Sequence, residues 1–123
     1  MAKVIGLGGI FFKSRDPKAL AEWYAKHLGL PVDKWGGARF DADATSGSYA
    51  VWSPFAADTE YFGSSGQPYM INLRVDDLDA LLASLRAAGV TVDEHTENGE
   101  YGRFGWITDP EGMRIELWQP PSG

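Results

Sequence analysis

The feature that most constrains this chain is that it repeats itself once. Gly9-Ile10-Phe11-Phe12-Lys13-Ser14-Arg15-Asp16 can be laid on Met70-Ile71-Asn72-Leu73-Arg74-Val75-Asp76-Asp77, keeping the apolar phase, the basic residue and the final Asp. Farther on, Trp35 to Pro54 lies on Tyr101 to Pro120 without a gap. That match brings Gly36 onto Gly102, Phe40 onto Trp106, Asp43 onto Asp109, Trp52 onto Trp118 and Pro54 onto Pro120. Two copies are too few for a solenoid, so each must bury its open face against the other. The expected fold class is α+β, with two βαβββ modules forming paired curved sheets around a cleft. The 123 residues make one domain, with module 1 at about 1–54, a linker at about 55–68 and module 2 at about 69–123.

Local signals place the elements. Val4 to Lys13 reads as a strand with Ile10 and Phe12 on one side and Gly9, Phe11 and Lys13 on the other, because side chains alternate along a strand. Asp16-Pro17 opens a helix, since Asp caps an N-terminus and Pro is tolerated at the first helical position. Leu20, Trp23, Tyr24 and Leu28 follow at helical spacing, and Gly29 supplies the stop. Gly36 to Asp43 and Ser48 to Trp52 read as short strands, turning at Thr45, Ser46 and Gly47. The stretch Pro54 to Pro68, with Gly63, Ser64, Ser65 and Gly66, reads as the linker. Tyr69 to Val75 is a strand, and Asp77 caps a second helix that carries Leu78, Leu81, Leu82 and Leu85 on one face and ends at Gly89. The acidic run Asp76, Asp77 and Asp79 suits that helix N-terminus better than a cation site. Val90 to Asp93 reads as a strand, Glu94 to Glu100 as a polar loop and Arg103 to Trp118 as a closing hairpin.

Composition limits the function. A chain this long buries roughly two-thirds of the surface its unfolded form exposes, so it needs no staple to fold. It has no cysteine, which excludes disulfides, thiolate metal sites and cysteine nucleophiles. A net charge of -6 argues against nucleic acid, whose phosphates need clustered Lys and Arg. No apolar run approaches the ~20 residues of a membrane span, nor the length of a signal core, so a cytoplasmic protein with no membrane partner is expected. Five Trp, five Tyr and six Phe are many for this length. Such rings fill cores and line ligand pockets alike.

The closing stretch Asp109-Pro110-Glu111-Gly112-Met113-Arg114-Ile115-Glu116-Leu117-Trp118 joins a turn to a strand on which Arg114, Glu116 and Trp118 share a face. Taken with Asp-Pro, Trp-Tyr and Leu-Gly-Leu in the first half and Val-Asp-Asp-Leu-Asp-Ala in the second, it resembles the vicinal oxygen chelate superfamily over nearly the whole chain. That superfamily includes glyoxalases, bleomycin resistance proteins and extradiol dioxygenases. The resemblance implies a glyoxalase-like fold, and in the enzymes a divalent metal held by inward His, Glu or Gln on the first and last strands of each module. Carried over by position, those sites are Gly9, Ala50, Met70 and Glu116, of which only Glu116 suits such an ion. No family-type metal or other cofactor is therefore expected. His27, at the end of the first helix, reads as a capping or surface residue, and His95 as a solvated loop residue.

The residues placed on the inward face by strand parity and by the resemblance are Phe11, Lys13, Trp52, Asn72, Arg74, Trp106 and Trp118 around Glu116, with Met70 beside them. The leading expectation is an aromatic cleft that binds a small, partly aromatic or cationic molecule, as bleomycin resistance proteins do. The competing one is a lyase or isomerase with Glu116 as catalytic base or as a divergent metal ligand. Glu116 also has a structural alternative as ion-pair partner of Lys13 or Arg74. Glu100, Tyr101 and Arg103 form a second candidate group, either clamping a polar ligand or forming a solvated hairpin shoulder. A homodimer is expected, because exposed faces of short two-module domains often pair.

Overall fold

The computed structural model describes residues 2–41 and 49–121. Ten elements follow one another: β1 (Val4–Ser14), α1 (Pro17–Leu28), β2 (Ala38–Asp41), β3 (Tyr49–Ala56), β4 (Tyr69–Val75), α2 (Leu78–Ala87), β5 (Thr91–Val92), β6 (Glu97–Gly99), β7 (Gly102–Thr108) and β8 (Arg114–Gln119). The expected turn at Thr45, Ser46 and Gly47 lies outside the described residues. The stretch expected to be a plain loop, Glu94 to Glu100, carries β6, which pairs with β7 through Asn98 opposite Arg103. β3 runs past Pro54 to Ala56, beyond the point where the sequence suggests the linker begins.

Both helices start and stop where side-chain chemistry says they should. Asp16 and Asp77 accept the backbone N–H of Ala19 and Ala80, each at 3.1 Å, satisfying donors that the first turn leaves free. Gly29 closes α1 at φ 67°, a left-handed conformation that a residue with a Cβ resists.

The strands form an eight-stranded sheet in the order β2-β3-β1-β4-β8-β7-β5, with β6 attached to β7. In each half the first strand runs parallel to the last, β1 with β3 and β4 with β8. The halves join edge to edge where β1 and β4 pair antiparallel, Ile10 opposite Ile71 and Phe11 opposite Met70. One curved surface therefore passes without a break from one module to the other. α2 closes one side of the second half, where Leu78 and Leu82 bury against Val75 and Leu117. α1 covers the corresponding side of the first half, with Tyr24 against Trp52 at 4.8 Å between ring centroids.

The opposite, concave side carries a second core of Phe11, Phe62, Met70 and Trp106. Phe62 comes from the segment between β3 and β4, which sequence composition presents as a linker. That segment is pinned. Gln67 is buried, donates to the carbonyls of Tyr69 and Arg114 at 2.8 and 3.0 Å, and accepts the Arg114 N–H at 2.8 Å. It thus serves the edge of β8 much as another strand would.

β1 slips register between Leu7 and Gly9. At Gly9 a side chain has no space, because an added Cβ would sit 2.2 Å from the Val51 carbonyl oxygen. Gly9→Ala is expected to cost about 1–3 kcal/mol by overpacking a backbone that cannot yield. Gly99→Ala, where nothing lies within 4 Å, should stay within about 0.5 kcal/mol. Urea unfolding of the two variants beside the parent measures the difference.

Candidate functional site

The concave surface is divided in two. Over the second module it is filled by the 57–68 segment. Over the junction with the first module it opens into a cavity of about 640 Å³, bordered by Phe11, Val51, Asn72, Phe104, Trp118 and residues from 33–39 and 101.

The filled half encloses Glu116, whose exposure is 1%. β8 delivers its side chain between Asn72 of β4 and Trp106 of β7, both Cα partners of Glu116 across the sheet. Asn72 Nδ2 donates to Oε1 at 2.6 Å, Trp106 Nε1 donates to Oε2 at 3.0 Å, and the Tyr61 hydroxyl makes a short hydrogen bond to Oε2. Burial pushes the Glu116 carboxyl above its ordinary value of 4.5, against these three hydrogen bonds, which favour the charged form. Burial, reinforced by the charge of Glu116, likewise pushes the Tyr61 phenol far up, so it remains a donor. Trp106 is held by the His95 ring, stacked at 5.7 Å and 5°, and by the Arg114 guanidinium at 5.1 Å. Arg114 in turn pairs with Asp93 at 2.9 Å and donates to the Tyr61 carbonyl at 3.2 Å.

Asn72 links the two halves. It borders the cavity, donates to Glu116 and lies across β1, where a Cβ at Gly8 would sit 1.8 Å from its Oδ1. That Oδ1 is buried without a hydrogen-bond partner.

Among the residues expected inside the cleft, Phe11, Asn72 and Trp118 border the cavity, whereas Met70 and Trp106 are enclosed in the core. Lys13 extends over the Phe62 ring at 5.9 Å, and Arg74 reaches the Tyr49 carbonyl at 3.1 Å. Neither forms the ion pair with Glu116 that the sequence allows, since that carboxyl is held by three uncharged donors. Trp52 requires correction, because it faces α1 rather than the cleft. The cause lies in the repeat. Phe11 pairs with Ser53 as Asn72 pairs with Glu116, so the position matching Glu116 is Ser53 and not Ala50. A shift of three positions, an odd number, reverses the face on which every β3 side chain falls.

His95 lies against Trp106 while its side chain remains 64% exposed, and His27 lies tilted against Trp23 at 5.0 Å at the end of α1. The candidate trio of Glu100, Tyr101 and Arg103 separates. Tyr101 borders the cavity, and its carbonyl accepts the Trp118 indole N–H at 2.7 Å. Arg103 turns away to Asp79 on α2, where its guanidinium holds that carboxyl below the ordinary range.

Sequence reasoning missed Trp35, Tyr49 and Phe104 on the cavity wall and Tyr61 on the carboxylate. For Tyr61 and Phe62 the available signal was an aromatic pair inside an otherwise small and polar stretch. For Tyr49 it was the phase of β3.

The family positions do not suit a divalent ion. Gly9 has no room for a side chain, Ala50 lies on the helix side, Met70 offers only a thioether inside the core, and the Glu116 oxygens already accept three hydrogen bonds. Among the described residues no group of three or more His, Asp or Glu could hold a metal.

The family described as Glyoxalase-like domain matches residues 9–118. The chain belongs to that family. Solved structures agree in fold. Methylmalonyl-CoA epimerase from Mycobacterium tuberculosis aligns at 25% identity and TM-score 0.65, over 97% of this chain and 90% of that one. A variant of the Streptomyces coelicolor methylmalonyl-CoA epimerase in complex with 2-nitronate-propionyl-CoA aligns at 18% identity and TM-score 0.73, over 98% and 100%. A glyoxalase/bleomycin resistance protein/dioxygenase superfamily member from Vibrio splendidus 12B01 aligns at 15% identity and TM-score 0.56, over 97% and 99%. No curated protein matches this glyoxalase-like chain.

The enclosed carboxyl has a measurable consequence. Because the folded state holds the Glu116 proton more tightly than the unfolded chain does, this group's contribution to stability is greatest below pH 4.5 and falls as pH rises through the raised value. In Glu116→Gln the loss disappears, and a flipped Asn72 amide can accept from the new NH₂. Within that window the parent should lose stability relative to the variant at up to about 1.4 kcal/mol per pH unit. Urea midpoints of both proteins from pH 4 to pH 8 read this directly.

Proposed function

We propose that this glyoxalase-like protein binds a small aromatic molecule in the open cavity, without the family's metal. One observation carries the reading. A hollow of about 640 Å³ persists beside a concave half that is otherwise packed solid, and its walls combine tryptophan, tyrosine and phenylalanine rings with a single buried polar side chain, Asn72. Small-molecule sites have this composition and this size. Epimerase neighbours of the same fold are in complex with methylmalonyl-CoA or 2-nitronate-propionyl-CoA, which supports a small-molecule ligand.

A second reading has two observations in its favour. Burial raises the Glu116 carboxyl toward the range useful for proton transfer, and the neighbours include epimerases. Access counts against it, because the carboxyl is enclosed by Tyr61, Asn72 and Trp106 and does not border the cavity. The two readings part on one incubation of the purified protein with methylmalonyl-CoA in deuterated water. Binding alone leaves the carbon-bound hydrogen in place. Exchange that is lost in Glu116→Gln would establish the enzyme.

The protein works as a homodimer. α1 packs mainly on β3 and only lightly on β1, and α2 lies over β5, β7 and β8 and reaches the Val75 end of β4, so the helix side of the two central strands stays open around the Ile10–Ile71 pair. Ile5, Leu7, Ile10, Tyr69 and Ile71 are exposed there. Ile10 and Ile71 are partners across the β1–β4 junction, which lets the patch be self-complementary about a two-fold axis. Light scattering should give twice the chain mass, and Ile10→Lys with Ile71→Lys should give a folded monomer.

Trp35 and Tyr101 are 52% and 59% exposed, so either can be truncated without opening the core. Trp35→Ala should weaken ligand binding by about tenfold or more while leaving the unfolding midpoint within error. Calorimetric titration across a panel of small aromatic compounds checks it, and equal affinity in parent and variant would remove Trp35 from the site.

A further inference from the structure

We infer that the cavity takes an elongated ligand of two or more aromatic rings, its inner ring inside the hollow and its outer ring held at the mouth by Trp35 and Tyr101. The inference deepens the proposed function and rests on that reading of the cavity. Size gives the first indication. An apolar cavity of about 150 Å³ takes up one benzene molecule. The hollow here is about 640 Å³, so a single ring would leave most of it to water. The state of the rings along the wall gives the second. The buried and half-buried ones already have partners, Trp118 lying 4.9 Å from Tyr49 and stacked 6.3 Å from Phe104, and Phe11 lying 5.2 Å from Phe55. Trp35 and Tyr101 border the same cavity but are 52% and 59% exposed, and neither ring meets another aromatic ring or a cation among the described residues.

Both exposed rings stand on held backbone. Trp35 sits in a turn in which the Asp33 N–H donates to the Gly37 carbonyl at 2.8 Å and the Gly36 N–H to the Asp33 carbonyl at 3.0 Å. Its indole lies back against Gly37, where an added Cβ would come 2.1 Å from Cζ3. The Tyr101 carbonyl accepts the Trp118 indole N–H at 2.7 Å, which ties this residue to the cavity wall. Gly102, next in the chain, has φ 114° and packs so closely that a Cβ would lie 2.2 Å from the Gln119 carbonyl oxygen. One module thus supplies a ring just before β2, the other a ring just before β7, and the two reach one mouth. Each is fixed at its base and has ring surface to offer. Such surfaces serve a flat group that stacks on them, and a ligand long enough to fill the hollow and still reach the mouth brings one.

The test compares one ring with two. Phenol and para-phenylphenol are titrated into the isotope-labelled full chain, and affinities are read from amide chemical shifts for the parent, Trp35→Ala and Tyr101→Ala. Both probes are uncharged at neutral pH, so the ionic groups at the rim do not enter the comparison. Both substitutions remove exposed rings, so the fold is kept, and the amide spectrum of each variant verifies it. The parent is expected to bind para-phenylphenol more tightly than phenol by about tenfold or more. Each truncation should weaken para-phenylphenol by about tenfold and leave phenol within about twofold of the parent. A gain for the second ring that survives both truncations would overturn the inference, as would an equal loss for the two probes. Phenol binding with no gain for para-phenylphenol overturns the inference and leaves the cavity reading standing. Failure of both probes to bind removes both.

Discussion

Everything else in this molecule depends on the antiparallel pairing of β1 with β4. Each module taken alone is a short, half-covered sheet with an unpaired edge, and such an edge is unstable and prone to promiscuous pairing. Joining the edges satisfies both rows of backbone groups and makes one surface from two. It also sets β8 beside β4, so that Glu116 and Asn72 become partners. The buried carboxylate and the open cavity are therefore two consequences of one junction.

The division of the concave surface follows from how the chain returns between modules. The crossing segment lays Phe62 into the second half and places the Tyr61 hydroxyl on Glu116. Enclosing a carboxylate costs free energy unless donors compensate it, and here a phenol, an amide and an indole do so without any cation. The residue that the family resemblance marks as a ligand has become part of an enclosed, hydrogen-bonded core. Asn72 is the one polar group that belongs to both halves, and Gly8 gives it the space to lie where it does.

Charge is likewise distributed by the fold rather than by composition. The acids at Asp77, Asp79 and Asp93 serve a helix cap, an arginine on the neighbouring strand and the arginine beneath Trp106. Lys34 and Arg39 border the opening beside Asp33. A net value describes solubility and long-range steering, whereas a site responds to the few groups within a screening length of it.

The sequence by itself determined the helices, the strands that repeat, the duplication and the family, because each rests on short-range chemistry. Asp capping, left-handed glycine, alternation along a strand and an eight-residue match can all be read without knowing what touches what. It also singled out Glu116, Asn72 and Trp118, since their strands carry a clear phase. What only the tertiary structure decided was which face each strand of the first module presents and what fills the cleft. Trp52 and Ala50 went to the helix side because pairing with β1 sets β3 three positions away from the gap-free match, and the face of a strand inverts with any odd shift. Tyr61 and Phe62 became core residues because the segment that carries them crosses the concave surface. That is a long-range outcome which the small and polar residues around them do not encode.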